Sequence, residues 1–168
     1  MDRGRVAGFG GAAMNRLHNG GLLLARLVLG GTFLYASLDK IADPAAFAEA
    51  IANYHLLPPS TQGFVAAILP WIEALAGGLL LIGLMTAGAS LVVAALSATF
   101  ALAITSALWR GLDVSCGCFT LQPGAATAGW GHVGLDLALL AVGLLVLCRG
   151  PGLWALEGLP RCGEEARL

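Results

Sequence analysis

Four apolar runs, roughly Gly20–Leu38, Phe64–Thr86, Ala87–Leu108 and Trp130–Cys148, limit what this chain can fold into. A helix needs roughly 20 apolar residues to cross the hydrocarbon core of a bilayer, and in lipid every backbone amide must find its partner within its own segment or barrel. With 58% hydrophobic and 11% charged residues in a chain of 168, the expectation is an all-α protein, a four-helix transmembrane bundle. The expected organisation is a cytoplasmic N-terminal segment (1–19), a four-span membrane domain (20–148) and a cytoplasmic tail (149–168), with no appended soluble domain. That composition argues against a soluble hydrolase. A net charge of −1 and the lack of a basic tract argue against nucleic acid as a partner, which leaves the lipid bilayer as the first one implied.

Arg3, Arg5 and Arg16 before the first run, and Tyr35-Ala36-Ser37 near its end, are features shared with a secretory signal. The run is longer than a signal's apolar core, Arg26 interrupts it and three more spans follow, so it is read as a retained membrane helix. Basic residues also orient the chain, because cytoplasmic ends carry an excess of Lys and Arg. Arg3, Arg5 and Arg16 precede the first span and Arg149, Arg161 and Arg167 follow the fourth, whereas the first and third loops hold only Lys40 and Arg110. Both termini are therefore expected in the cytoplasm and both of those loops outside, as a multi-pass protein of the bacterial inner membrane.

The third loop carries Cys116-Gly117-Cys118-Phe119. A disulfide needs Cα atoms within roughly 4.4–6.8 Å, which residues at i and i+2 reach only through a bend that the glycine permits. Such a ring is strained, and strained, exposed disulfides are the labile and catalytic ones. Cys116 and Cys118 are thus a candidate dithiol/disulfide pair, in the compartment where disulfides persist; the plain alternative is two small apolar residues in a turn. A metal site is disfavoured, since zinc takes four N/S ligands and the nearest histidine in sequence is His132. Cys148 and Cys162 fall at the opposite face and are read as incidental.

In the first loop, Asp43-Pro44 reads as an N-cap followed by proline at the first helical position. Phe47, Ile51 and Tyr54 then recur at helical spacing, predicting a short amphipathic helix lying on the membrane surface. Ionisable residues inside spans are costly and mark interior or wet positions. Arg26 lies in the inner half of the first span, where it is expected to snorkel; Glu73 and Asp136 lie toward the outside of the second and fourth. With Asp39 and Lys40 at the outer end of the first span, these groups are expected to converge near the level of Cys116 and Cys118. Lys40 is the candidate cation that lowers a thiol pKa and Glu73 the candidate proton carrier; the competing reading is a Lys40–Glu73 ion pair that fixes helix packing. Gly77, Gly78 and Gly83 are read as helix-packing residues and Trp71, Trp109, Trp130 and Trp154 as interfacial anchors.

Taken in order, these residues resemble the methylamine utilisation protein MauE family, within a wider MauE/DoxX group of redox-associated membrane proteins. The likeness runs over about residues 22–148: Arg26, Gly31, Tyr35, Asp39-Lys40, then Asp43-Pro44, Phe47, Ile51, Tyr54 and Leu57-Pro58. It continues through Leu69-Pro70-Trp71-Ile72-Glu73, Gly77, Ala107-Leu108, Arg110-Gly111 and Cys116-Gly117-Cys118-Phe119. Thr120 and Leu135 depart from the family pattern. The resemblance implies a role in maturing a periplasmic enzyme, such as processing, transport or folding of the disulfide-rich small subunit of methylamine dehydrogenase, beside a periplasmic thioredoxin-like protein. It points to a thiol–disulfide exchange accessory rather than a stand-alone enzyme, with no certain cofactor. The DoxX side of the resemblance implies an alternative, a membrane subunit of a quinol-linked oxidoreductase holding a membrane quinone; a non-catalytic scaffold or transporter is the third reading.

Overall fold

A computed structural model describes residues 7–112 and 129–150, with side chains described from residue 20. Among the described residues there are five helices: α1 (Ala7–Ala42), α2 (Pro44–Asn53), α3 (Pro59–Ile82), α4 (Thr86–Trp109) and α5 (Trp130–Arg149). Gly20–Ala42 of α1 and the whole of α3, α4 and α5 are each long and apolar enough to cross a bilayer, so the chain is a multi-pass membrane protein of the expected all-α class. The Cys116–Cys118 pair, Trp154 and Cys162 lie outside the described residues.

The second span begins and ends earlier than the expected Phe64–Thr86, whereas the third agrees with its expected bounds to within one residue. α3 starts at Pro59, where a proline at the first helical position costs no hydrogen bond, and stops at Ile82. The stop is conformational: Gly83 takes φ +76° and its N–H returns to the Leu79 carbonyl, a left-handed cap that an apolar sequence run does not announce. Gly83 therefore makes a turn rather than a helix contact. α2 starts as expected, with Asp43 Oδ1 accepting from the Ala46 N–H at 2.9 Å and Pro44 at the first position.

α1 packs closely along α3 and α4 along α5, whereas α3 and α4 touch far less although only a short turn joins them. The α1–α3 seam closes at two glycines. A Cβ on Gly30 would lie 2.7 Å from the Gly77 carbonyl oxygen, and one on Gly77 2.8 Å from that of Gly30, so small residues let these two backbones meet. Gly78 faces open space and has no such part. Leu29, Phe33, Ala76, Leu80, Val93, Leu139 and Val146 fill the centre of the bundle from all four long helices. Because α3 and α4 are joined at Gly83–Met85 and pack loosely, they leave a cleft at the far end, and α2 lies across it. α2 buries Phe47 and Ala50 against Ala66 of α3, and Tyr54 at its end packs with Ile104, Ala107 and Val133. Its apolar side thus covers the protein itself, where the sequence pattern suggested lipid, and α2 roofs the cleft.

Candidate functional site

Side chains on a helix lean toward its N-terminus. α1 and α3 run antiparallel, since Arg26 meets Leu80, Gly30 meets Gly77 and Lys40 meets Glu73 along the seam. Lys40, near the end of α1, therefore leans back into the bundle while Glu73 on α3 leans the other way, and the two meet. Lys40 Nζ donates to Glu73 Oε1 at 2.9 Å and to Oε2 at 2.7 Å. Lys40 is 2% exposed and Glu73 is fully buried. The ammonium also stands 5.3 Å from the centre of the Phe47 ring and 5.1 Å from that of Phe100, so two aromatic faces share the solvation of the buried cation.

Asp136 of α5 completes the cluster. It is 4% exposed and, with Lys40, Glu73, Thr32, Phe33, Ala36, Phe100 and Leu139, lines a cavity of about 20 Å³. Asp39, the fourth group expected here, is not part of it. One residue before Lys40 on α1, it is turned about 100° away around the helix and lies exposed. The sequence-predicted convergence is thus made by Lys40, Glu73 and Asp136.

Beyond Lys40 the cleft opens to a volume of about 220 Å³, walled by Val65 and Leu69 of α3 and Thr99, Phe100 and Ala103 of α4, and roofed by Phe47, Ile51 and Tyr54. Its lining is almost wholly apolar, with Lys40 its charged member. Arg110, just past α4, holds the roof: its guanidinium donates to the Tyr54 carbonyl at 2.7 Å and, through Nε, to the Ser106 carbonyl at 2.9 Å. Sequence reasoning missed the cleft and the part played by Phe100. Phe100 sits in an unbroken apolar run where nothing distinguishes it, whereas Arg110 stood in the quoted pattern without a role.

Arg26 does not snorkel. It is 1% exposed, and its Nε and a terminal nitrogen donate to the Leu80 carbonyl at 3.2 and 3.1 Å. That carbonyl lies in the last turn of α3, where Gly83 and Leu84 both send their N–H groups to Leu79 instead. A carbonyl that the helix cannot satisfy is thus met by a charged donor from the neighbouring helix. Trp109 and Trp130, at adjoining ends of α4 and α5, are exposed as interfacial anchors would be, while Trp71 is exposed midway along α3. Cys148 is exposed near the end of α5.

The sequence profile of a family described as methylamine utilisation protein MauE matches residues 19–154. A protein of Methylophilus methylotrophus named methylamine utilization protein MauE is 31% identical over 125 residues, covering 74% of this chain and 66% of the relative. One of the same name from Paracoccus denitrificans is 30% identical over 125 residues, covering 72% of this chain and 65% of the relative. The chain thus spans just under two thirds of the length of these two curated relatives. No solved structure matches it.

Proposed function

This chain belongs to the MauE family of methylamine utilisation proteins, and from that premise we propose that it is a redox-associated accessory protein of the bacterial inner membrane. In this reading its work belongs to methylamine utilisation, and it assists the maturation of a periplasmic enzyme subunit such as the methylamine dehydrogenase small subunit. Both termini lie in the cytoplasm, and the connection from α4 to α5 lies outside. Cys116 and Cys118 on that connection exchange with a thioredoxin-like periplasmic partner. A dithiol on one protein becomes a disulfide as the other's disulfide becomes a dithiol, so that electrons and protons balance. Lys40 is the cation that favours a thiolate in that exchange and Glu73 the group that carries its proton.

The observation that carries this reading is the position of the Lys40–Glu73 pair. It is buried beneath a cleft at the end of the bundle from which the cysteine-bearing connection departs, and Arg110, six residues before Cys116, is bonded to that cleft's roof. The test is the in-cell redox state of Cys116 and Cys118, read by acid quenching, alkylation with a mass-tagged maleimide and a gel shift in a Cys148→Ala/Cys162→Ala background. The expected result is a pair that is oxidised at steady state and becomes reduced when a partner is removed or respiration is inhibited. A pair fixed in one state under every perturbation makes the cysteines structural and favours the scaffold or transporter.

The cleft itself supports a second reading, a membrane subunit of a quinol-linked oxidoreductase. Aromatic walls and a lysine N–H at the floor suit a planar ring bearing carbonyl groups. A membrane quinone there would supply two-electron chemistry, while Lys40 would orient it by donating a hydrogen bond and Phe47, Tyr54 and Phe100 would exclude water. A quinone absorbance band in the protein purified from membranes is the result this reading requires; its absence returns the weight to the thiol pair alone.

A further inference from the structure

The small cavity between α1, α3, α4 and α5 is framed by one cation and two carboxyl groups. Lys40 comes from α1, Glu73 from α3 and Asp136 from α5, while α4 contributes the uncharged Phe100. Glu73 spends both oxygens on Lys40. An ammonium has three N–H donors, so one of Lys40's remains beyond the two given to Glu73. Asp136 Oδ2 is buried with no hydrogen-bond partner among the described residues. Were all three groups ionised, the cluster would carry one uncompensated negative charge. Burying such a charge at membrane depth is among the most unfavourable arrangements a protein can adopt.

The excess charge has two remedies, a bound cation or a bound proton. The cavity measures about 20 Å³, which matches a single water molecule and leaves no room for an organic ammonium ion. A small metal cation would sit against the Lys40 ammonium and would need several oxygen ligands, whereas the carboxylate of Glu73 is already taken up by Lys40. A proton meets neither objection. We propose that Lys40, Glu73 and Asp136 form a membrane-embedded proton-binding site in which the proton resides on the Asp136 carboxyl group.

In the loaded state Lys40 and Glu73 are a neutral ion pair and Asp136 is a neutral acid, so the cluster carries no net charge. Release of the proton leaves an Asp136 carboxylate lining the same cavity as Lys40, which has a further N–H to offer. Lys40 also lines the large cleft, so loading and unloading of Asp136 alters the charge balance felt by whatever occupies that cleft. This gives the site a proton store one side chain away from the cleft. The inference rests on the cluster alone and holds whichever client, thiol partner or ring compound the protein serves.

The test is infrared spectroscopy of the purified full chain in lipid nanodiscs at neutral pH, reading the carbonyl stretch of a protonated carboxyl group. The proposal expects such a band, shifted to lower frequency by a heavy carbon in the aspartate carboxyl, unmoved by the same label in glutamate, and absent from Asp136→Asn. A spectrum without the band overturns the proposal, because all carboxyl groups are then ionised. A band that moves with the glutamate label overturns it too, because the proton is then on Glu73 or another glutamate. The labelling arms use the wild-type chain and identify the residue type; should Asp136→Asn fail to fold, Asp39→Asn/Asp43→Asn, which changes the two exposed aspartates among the described residues, is expected to keep the band, and its loss there overturns the proposal.

Discussion

Arg26 and Lys40 lie on the same helix, are about equally withdrawn from the surface and both reach α3, yet they meet different chemistry. Arg26 bonds to the main-chain carbonyl of Leu80 beside a seam so tight that only glycine fits at Gly30 and Gly77. Lys40 bonds to a carboxylate, has a second carboxyl group nearby, and stands between a small cavity shared with both carboxyl groups and a large apolar cleft. The Arg26 arrangement satisfies a helix end and leaves no room for a ligand. The Lys40 arrangement gathers titratable groups beside open volume. Burial of a charge in a membrane span is therefore not in itself a sign of chemistry; space and a second titratable group beside it are.

Loss of the buried cation should cost the fold most. Lys40→Met leaves the Glu73 carboxylate buried without its cation and is expected to cost about 3–5 kcal/mol. Lys40→Met/Glu73→Leu removes both charges and should recover most of that loss, as read by thermal unfolding in detergent. A double variant no more stable than the single one would mean that the pair is not coupled as described.

At the other end of the α1–α3 seam, Arg26→Met is expected to cost about 1.5–3 kcal/mol, the value of a hydrogen bond from a charged donor. Its stability loss should come with unchanged redox behaviour of Cys116 and Cys118 in whatever protein folds. If Arg26→Met instead abolished redox cycling at full yield, the division of labour between the two ends would fail.

The smallest of the three concerns the seam. Gly77→Ala places a methyl group 2.8 Å from the Gly30 carbonyl oxygen and 2.9 Å from the Leu34 nitrogen, both backbone atoms that cannot swing aside. The expected cost is about 1–3 kcal/mol. Gly78→Ala meets nothing within 4 Å and serves as the control, with yield and monodispersity on size exclusion as the readout. Equal behaviour of the two variants would show that the seam is looser than described.

Much of this architecture could be read from residue order, and the parts that could not share a physical cause. Long apolar runs reveal spans because the bilayer demands them, and Asp43-Pro44 revealed the start of α2 because capping is local. The pairing of Lys40 with Glu73 was within reach because charges in lipid seek each other. Lys40 even shares a helical face with Ala36, Phe33 and Leu29, all buried, whereas Asp39 falls beside the exposed Tyr35 and Leu38. The cleft was not legible. In a membrane helix the lipid side is as apolar as the core, so the periodicity that marks an inner face in a water-soluble helix disappears, and Phe100 looks like its neighbours. The end of α3 was hidden for a related reason, since only the backbone angle at Gly83 distinguishes a turn from continuing helix within an apolar run.

In the proposed reading the Lys40 cluster serves the chemistry of the cysteine pair while the Arg26 contact serves the fold. Its most direct test is the in-cell redox state of Cys116 and Cys118 in Lys40→Met/Glu73→Leu, compared with the parent chain by the same alkylation assay. The expected result is a folded, membrane-inserted protein whose cysteine pair no longer changes state when a partner is removed or respiration is inhibited. Cycling indistinguishable from the parent would contradict it, and would reduce Lys40 and Glu73 to a structural pair like Arg26 and Leu80.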